Sequence, residues 1–285
     1  MLKLYKNKYS LELMPNGHKY LVNGKEKPGV TSILQILNKP GLSQWAANQT
    51  SEFIRFNAES FPEYEGEKAW IVTDSQLKQA KSAFSRSRDN SADIGKAVHS
   101  WIEEHIIHQM GIKTQKGMRN GKPRNFIKDS PYTQEMAPCI ESFLGWEEMY
   151  KPKYIFSERQ IYSEKGDYCG TTDVGFNMEI DGKELRVVLD FKTGKPEKQY
   201  DKRLRRYTGR KRPYNTVFIQ DALYDLAIEE EDGLKADRYG VLYLSTNGDL
   251  LFGLTAETEA FRNAANAIVA AYKALHVVDY LNKWS

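Results

Sequence analysis

The first part of the chain alternates between hydrophobic and polar positions in the manner of short strands. Apolar side chains recur at residues 11–14 and 20–22, and Pro, Asn and Gly occupy residues 15–17 between them. A second turn follows at Asn23 and Gly24. Because successive side chains of a strand point to opposite faces, this alternation predicts an N-terminal hairpin.

Apolar residues spaced three and four apart predict helices in the segments that follow. The predicted helices cover residues 33–37, 42–60, 75–88, 91–109 and 132–150. Thr31 or Ser32 would cap the first helix, and Ser91 or Asp93 would cap the fourth, because a short polar side chain can accept a hydrogen bond from an unpaired N–H of the first turn. The Gly-, Lys- and Asn-rich residues 111–130 predict a loop.

The second half of the chain mixes strands with helices. Strands are predicted at residues 154–162, 168–180, 185–192, 239–245 and 250–254, and helices at residues 215–231 and 256–280. A tight hairpin turn at Asp181 and Gly182 joins the second strand to the third. The order of these elements predicts an α/β protein, in which residues 1–90 form a hairpin and helical elaboration packed on a core of residues 91–285.

Composition narrows the class of protein. The 285 residues are 40% hydrophobic with a mean hydropathy of −0.63, and no apolar run reaches the roughly 18 residues that a membrane span needs. Cys139 and Cys169 are too few for a disulfide scaffold, a four-cysteine zinc site or a four-cysteine iron–sulfur cluster. The first residues lack the apolar core of a signal peptide, so we expect a protein of the reducing cytoplasm without membrane contact.

The net charge of +3 conceals a strongly basic segment at residues 195–212. Nine basic residues against two acidic ones give this segment a charge of +7, which leaves −4 for the rest of the chain. Tyr200, Tyr207 and Tyr214 lie among or beside the charges. Lysine and arginine with interleaved aromatic rings are typical of contacts to single-stranded nucleic acid, although a solvated charged loop would have the same composition.

Asp190 and Lys192 carry the most informative chemistry. They are two residues apart on a predicted strand, so both side chains point to one face. If the turn is centred on Asp181 and Gly182, Asp173 of the preceding strand lies opposite Asp190. Two opposed carboxylates repel each other unless a divalent cation binds between them. A register slip of one residue would instead separate them, and Asp-x-Lys alone is a common chance match.

Two helical pairs accompany these strands. Gln220 and Tyr224 are four residues apart and share a face of the predicted helix at residues 215–231. His99 and Glu103 have the same spacing on the helix at residues 91–109. Each pair by itself is also compatible with an ordinary amphipathic helix or a structural histidine.

Together, the four elements resemble the RecB-type branch of the PD-(D/E)xK nuclease superfamily. The pattern is a helical His99, Gly170-Thr-Thr-Asp173, Asp190-Phe-Lys192 and Gln220-x-x-x-Tyr224. Residues 28–34 and 42–45 also resemble the opening of phage-type exonucleases and of mitochondrial genome maintenance exonucleases. The resemblance covers most of residues 28–245 and implies a restriction-endonuclease-like core, a central mixed β-sheet flanked by helices.

The resemblance also implies hydrolysis of phosphodiester bonds with Mg²⁺ or Mn²⁺. The metal ligands carried over by position are Asp173, Asp190, the carbonyl of Phe191 and His99. Lys192 would orient the attacking water, and Gln220 and Tyr224 would brace Lys192 or contact DNA. Glu158 matches a recurring acidic position, and Glu103 is a second possible accessory residue. The iron–sulfur variants of the family need four cysteines, which this chain lacks.

The leading hypothesis is a DNA exonuclease acting on single-stranded ends in phage or mobile-element replication or recombination, in the host cytoplasm if phage-encoded. The predicted DNA-binding residues of the basic segment are Lys202, Arg203, Arg205, Arg206, Arg210, Lys211 and Arg212. A structure-specific endonuclease would use the same metal site. A DNA-binding or regulatory protein with a decayed site is the third hypothesis, although Asp173, Asp190 and Lys192 are all present.

Overall fold

The computed structural model describes residues 1–14, 19–37, 41–64, 67–112, 118–119, 122–123, 130–194, 197–201 and 206–281. The chain divides into two units, one of Met1–Ile36 with Ala97–Ser285 and the other of Leu37–Lys96. None of the helices in the described part is long and apolar enough to cross a membrane. The predicted assignment of the core to residues 91–285, with residues 1–90 as an elaboration, stays a prediction.

Four short antiparallel strands begin the first unit. They are β1 (Leu2–Leu4), β2 (Tyr9–Met14), β3 (Lys19–Val22) and β4 (Lys25–Lys27). The predicted hairpin is confirmed, while its turn at residues 15–17 lies outside the described residues. Leu11 and Cys169 are fully buried in one cluster with Tyr162, which anchors this small sheet to later strands of the chain. The Cys169 N–H also donates to the carbonyl of Pro28 at 2.9 Å.

The short helix α1 (Val30–Leu34) follows directly. It begins after Gly29, whose extended backbone occupies the cap position, and no side chain caps it. The predicted caps Thr31 and Ser32 are therefore wrong, because both residues lie inside the first turn. Val30 and Ile33 are buried, so packing stabilises this helix without a cap.

The second unit contains a helix, a two-stranded sheet and a further helix. These elements are α2 (Gly41–Asn57), β5 (Glu59–Tyr64), β6 (Glu67–Ile71) and α3 (Asp74–Lys81). Thr73 and Gln76 form a capping box at the start of α3, with each side chain accepting a hydrogen bond from the other residue's backbone N–H. The two strands were not predicted from the sequence.

Helix α4 (Ala83–Gln109) is longer than the sequence predicts. The predicted start near Ser91 is wrong, because Ser91 and Asp93 lie within the helix with exposed side chains. The Ser91 hydroxyl donates to the carbonyl of Ser87 at 2.8 Å, so the polar side chain is satisfied without ending the helix. Next along the chain are β7 (Met118–Arg119), β8 (Lys122–Pro123) and α5 (Thr133–Tyr150).

The largest sheet has five strands in the order β15-β14-β11-β10-β9. The remaining strands are β9 (Lys153–Ser163), β10 (Tyr168–Ile180), β11 (Lys183–Thr193), β12 (Glu197–Asp201), β13 (Arg206–Arg212), β14 (Arg238–Leu244) and β15 (Leu250–Thr255). Strands β11 and β14 are parallel, and the other neighbours in the sheet are antiparallel. The protein is therefore a mixed α/β protein, as predicted. The basic segment at residues 195–212 contains the paired strands β12 and β13.

Helices cover both faces of this sheet. Helix α6 (Asn215–Asp232) contacts β9, β10, β11 and β14, and α7 (Thr258–Leu281) packs against α6. On the α5 side, the ring of Phe143 lies 5.8 Å from that of Phe191, and the ring of Trp146 lies 5.6 Å from that of Phe176. Because side chains alternate along a strand, Phe191 faces α5 while Asp190 and Lys192 face α6.

Candidate active site

The hairpin of β10 and β11 places two carboxylates side by side. At the end of the hairpin away from the turn, the last ladder pair is Val174 with Leu189. The next residues along the two strands are therefore Asp173 and Asp190, which lie opposite each other. The predicted register is confirmed. Beyond that pair, the backbone N–H of Phe191 donates to Asp173 Oδ2 at 2.7 Å, so a side chain replaces the next ladder bond. The Asp173 carboxylate is thereby held against β11.

Helix α4 supplies an imidazole to the same place. His99 Nδ1 lies 3.6 Å from Asp173 Oδ2, and the His99 ring packs edge-on against Phe191 with centroids 6.0 Å apart. The Asp173 side chain is 12% exposed and that of His99 is 27% exposed, so solvent still reaches the pair. Phe191 thus positions both residues, through its N–H on one side and its ring on the other.

Strand β9 adds a third candidate ligand, a second carboxylate. Glu158 lies opposite Asp173 in the β9–β10 register, and one atom each of His99, Glu158 and Asp173 lie within 4.8 Å of one another. Glu158 has a φ of +47°, in the left-handed region that non-glycine residues rarely adopt inside a strand. Such a conformation costs about 1–3 kcal/mol and is found most often where function requires it.

The donor set fits a divalent cation. Two ligands of one cation lie at most about 4–5 Å apart, because each metal–ligand bond is about 2.0–2.5 Å long. The spacing of His99, Glu158 and Asp173 satisfies that limit. Carboxylate oxygens suit Mg²⁺ and Mn²⁺, and an imidazole favours Mn²⁺ of the two. Within the described residues, Asp190 and Glu103 do not belong to this group of three.

Asp190 makes a different set of contacts. Its side chain is 2% exposed, its Oδ2 pairs with the Lys192 ammonium, and its Oδ1 accepts a hydrogen bond from Gln220 Nε2 at 2.8 Å. Burial raises the pKa of Asp190 to about 6, against the opposing effect of the Lys192 charge. Burial lowers the pKa of Lys192, but the Asp190 and Asp173 charges outweigh it, so that pKa is raised.

Gln220 and Tyr224 are hydrogen-bonded to each other on α6. Gln220 Nε2 lies 3.1 Å from the Tyr224 hydroxyl as well as donating to Asp190. A Cβ at Gly170 would lie 2.7 Å from the Tyr224 ring, so the absence of a side chain there lets β10 approach α6. Burial raises the pKa of Tyr224 well above its ordinary value, so this hydroxyl stays protonated. The structure thus brings Gln220 into contact with Asp190 and Tyr224 into contact with Gln220.

The remaining predicted site residues stay predictions. Glu103 lies one turn beyond His99 on α4. Lys202, Arg203 and Arg205 are outside the described residues. The side chains of strand β13 are not described either. They include four predicted DNA contacts, Arg206, Arg210, Lys211 and Arg212. The role of this basic segment stays a prediction.

Sequence reasoning missed two buried acids on α6. Asp221 and Asp225 both have no exposed surface, although the neighbouring residues on that face are apolar. Asp225 accepts hydrogen bonds from the Ala236 N–H and the Tyr239 hydroxyl, both at 2.8 Å, and pairs with Arg262. Two acids four residues apart on an apolar helical stripe were the available signal.

A second network holds α4 in place near His99. His105 Nε2 lies 2.8 Å from Glu147 Oε2, and the Tyr154 hydroxyl donates to Glu147 Oε1 at 2.6 Å. His105 also stacks on Trp101, and its ring packs edge-on against Phe143. His105 lies nearly two turns beyond His99 on the same helix. The network therefore fixes the position of α4 relative to the sheet, and with it the position of His99.

The stability contributed by Glu147 should disappear in acid. Burial raises the pKa of Glu147, but the His105 and Tyr154 hydrogen bonds outweigh burial and the pKa lies below its ordinary 4.5. A lowered pKa stabilises the fold above the ordinary value, and that stability is lost as the pH falls through the lowered one. At pH 7, we expect Glu147→Gln to lower the free energy of unfolding by about 1–3 kcal/mol.

Urea unfolding of both proteins at several pH values measures this effect. The difference between wild type and Glu147→Gln should close as the pH falls below 4.5. Glu148→Gln is the matched control, because Glu148 is the adjacent residue and is exposed. A difference that persists undiminished at pH 3 would contradict the assigned role of the Glu147 charge.

Comparisons with known proteins add little to this geometry. No model of a known protein family matches the chain, and no curated protein matches its sequence. Among solved structures, the chain is similar to a protein from Eubacterium rectale to which exonuclease activity has been ascribed, with 16% identity, a TM-score of 0.36 and 63% of each chain covered. For the protein SSO0001, the identity is 10%, the TM-score is 0.25, and 47% of this chain and 57% of that chain are covered.

The chain therefore spans less than two thirds of the length of either solved structure. TM-scores this low assign neither a fold family nor an activity. The function has to be inferred from the chemistry of the site.

Proposed function

We propose that this protein is a metal-dependent nuclease that hydrolyses phosphodiester bonds in DNA. The observation that carries the proposal is the grouping of His99, Glu158 and Asp173 at ligand spacing, directly beside the buried Asp190 and its half-buried partner Lys192. An imidazole, three carboxylates and a lysine within one partly open site are the groups that a divalent cation and a phosphate ester require.

The chain's own residues have distinct roles in this proposal. His99, Glu158, Asp173, Asp190 and the carbonyl of Phe191 would hold the cation. When bound, a divalent cation acidifies a coordinated water and neutralises charge on the phosphate. Lys192 would orient the attacking water, since its ammonium is placed at Asp190 beside the cation ligands. Gln220 keeps the Asp190 carboxylate in its orientation through the hydrogen bond to Oδ1.

The finer features of the function follow the sequence resemblance. We propose exonucleolytic action on single-stranded DNA ends, with the basic segment at residues 195–212 contacting the phosphate backbone. We also propose Mg²⁺ or Mn²⁺ as the cofactor and replication or recombination of a phage or mobile element as the setting. These features rest on motifs and on the charge of the segment, which is +7.

A comparison of linear and closed circular single-stranded DNA tests the proposal. Both substrates are incubated with the purified protein in the presence of Mg²⁺, Mn²⁺ or EDTA. We expect metal-dependent loss of the linear substrate alone, with no cleavage in EDTA, because the site supplies ligands for a cation and the proposed action starts at an end.

Each other result has a definite meaning. Cleavage of circles would replace the exonuclease by a structure-specific endonuclease with the same metal site. Cleavage that continues undiminished in EDTA would refute the role given to His99, Glu158 and Asp173. DNA binding without cleavage under any condition would favour the DNA-binding protein with a decayed site.

A further inference from the structure

Asp221 is the least satisfied polar residue near the candidate site. It follows Gln220 on α6, has no exposed surface, and neither of its carboxyl oxygens has a hydrogen-bond partner among the described residues. Buried carboxyl groups are normally paired, and leaving one unpaired costs about 1–3 kcal/mol. The cost points to a partner that Asp221 gains in another state of the protein.

Lys192 is the partner that the fold brings near, because its side chain faces α6 and because Gln220, the residue before Asp221, donates to Asp190 Oδ1 at 2.8 Å. Burial raises the pKa of Asp221 well above its ordinary value, and the Asp190 and Asp173 charges raise it further while Lys192 lowers it. In turn, Asp221 is among the charges that raise the pKa of Lys192. Among the charged groups that shift the pKa of Asp221, which are Asp190, Asp173, Asp225 and Lys192, the cation is Lys192.

Lys192 currently occupies a position that a cation would need. Its ammonium pairs with Asp190 Oδ2, which is one of the proposed metal ligands. An ammonium and a divalent cation on one carboxylate oxygen repel each other, so the two compete for Asp190. Gln220 remains on Oδ1 and keeps the carboxylate in place. The lysine therefore has to move when the cation binds.

We propose that Asp221 is a positioning residue that accepts the Lys192 ammonium when a divalent cation takes Asp190. This inference rests on the proposed metal site. A carboxyl oxygen of Asp221 takes over the contact with the ammonium that Asp190 gives up, so the lysine stays beside the site instead of competing with the cation. Asp221 also keeps the ammonium close to the place where the attacking water is oriented.

A double-mutant cycle on Mn²⁺ binding tests the exchange without measuring cleavage. Isothermal titration calorimetry with Mn²⁺ alone is carried out on wild type, Asp221→Asn, Lys192→Met and the double variant. In the presence of Lys192, we expect Asp221→Asn to raise the Kd about tenfold, because the ammonium then stays on Asp190. In the Lys192→Met background, the same substitution should change the Kd by less than about twofold.

A matched variant separates this role from a merely structural one. Asp225→Asn alters another fully buried acid one turn further along α6. We expect this substitution to change the Kd for Mn²⁺ by the same factor in the wild-type and Lys192→Met backgrounds. Equal effects of Asp221→Asn in the two backgrounds would overturn the exchange. Urea unfolding of each variant shows that it is folded before titration.

The two proposals fail in different ways. If wild type binds no Mn²⁺, the metal site of the proposed function is refuted together with the exchange that rests on it. If wild type binds Mn²⁺ and Asp221→Asn binds it equally well, the metal site stands and the exchange is refuted.

Discussion

Replacing Asp190 by asparagine is expected to lower the rate of DNA cleavage by about 10³-fold or more. The substitution keeps the shape of the side chain but removes the negative charge that a cation would bind. In the wild type, Gln220 donates to Asp190 Oδ1 at 2.8 Å. In the variant, Gln220 can still donate to the side-chain carbonyl oxygen of the asparagine. The loss should therefore arise from the site chemistry and not from unfolding.

Cleavage of end-labelled single-stranded DNA in Mn²⁺ measures this effect. Asp181→Asn is the matched control, because Asp181 lies at the exposed turn of the same hairpin, where asparagine also tolerates the positive φ of +50°. The control should cleave at the wild-type rate. Activity of Asp190→Asn within a factor of about ten of wild type would show that this carboxylate does not serve the reaction.

Removing Asp225 is expected to lower the free energy of unfolding by about 3–5 kcal/mol. Asp225→Ala removes the fully buried carboxylate from the Arg262 guanidinium, which is 8% exposed, and leaves Arg262 with the partly exposed Glu229 alone. The N–H of Ala236 and the hydroxyl of Tyr239 lose their acceptor at the same time. Three buried donors thus lose one acceptor at once, and each unsatisfied buried donor costs about 1–3 kcal/mol because the protein interior offers no water in its place.

The midpoint of urea unfolding, with its slope unchanged, measures this loss. Glu184→Ala is the control, since Glu184 pairs with Lys153 at 2.6 Å but both side chains are more than half exposed. That surface pair should contribute less than about 1 kcal/mol. A similar small loss for Asp225→Ala would contradict its role as the anchor between α6, α7 and β14.

Local elements were predicted well where a turn or a periodic pattern defined them. The strand boundaries around Asp181 and Gly182 agree with the structure within two residues, because a two-residue turn leaves one register for its flanking strands. The start of α4 was predicted eight residues too late, at Ser91 instead of Ala83. Exposed serine and aspartate resemble caps in a sequence, and only packing reveals that the helix continues through them.

Long-range relations could not be read from the chain in the same way. Glu158 was a possible accessory residue, but its left-handed backbone and its distance to His99 depend on how three strands and a helix meet. Asp221 and Asp225 were not recognised, because an acid on an amphipathic helix is ordinarily on the exposed face.

The sequence by itself determined the order of elements, the mixed α/β class and the opposition of Asp173 to Asp190, since each depends on residues close together in the chain. Only the tertiary structure decided that His99 and Glu158 join Asp173, that Gln220 holds Asp190, and that Asp221 is buried unpaired. These contacts span up to 74 residues, from His99 to Asp173, and the packing of helices on both faces of the sheet determines them.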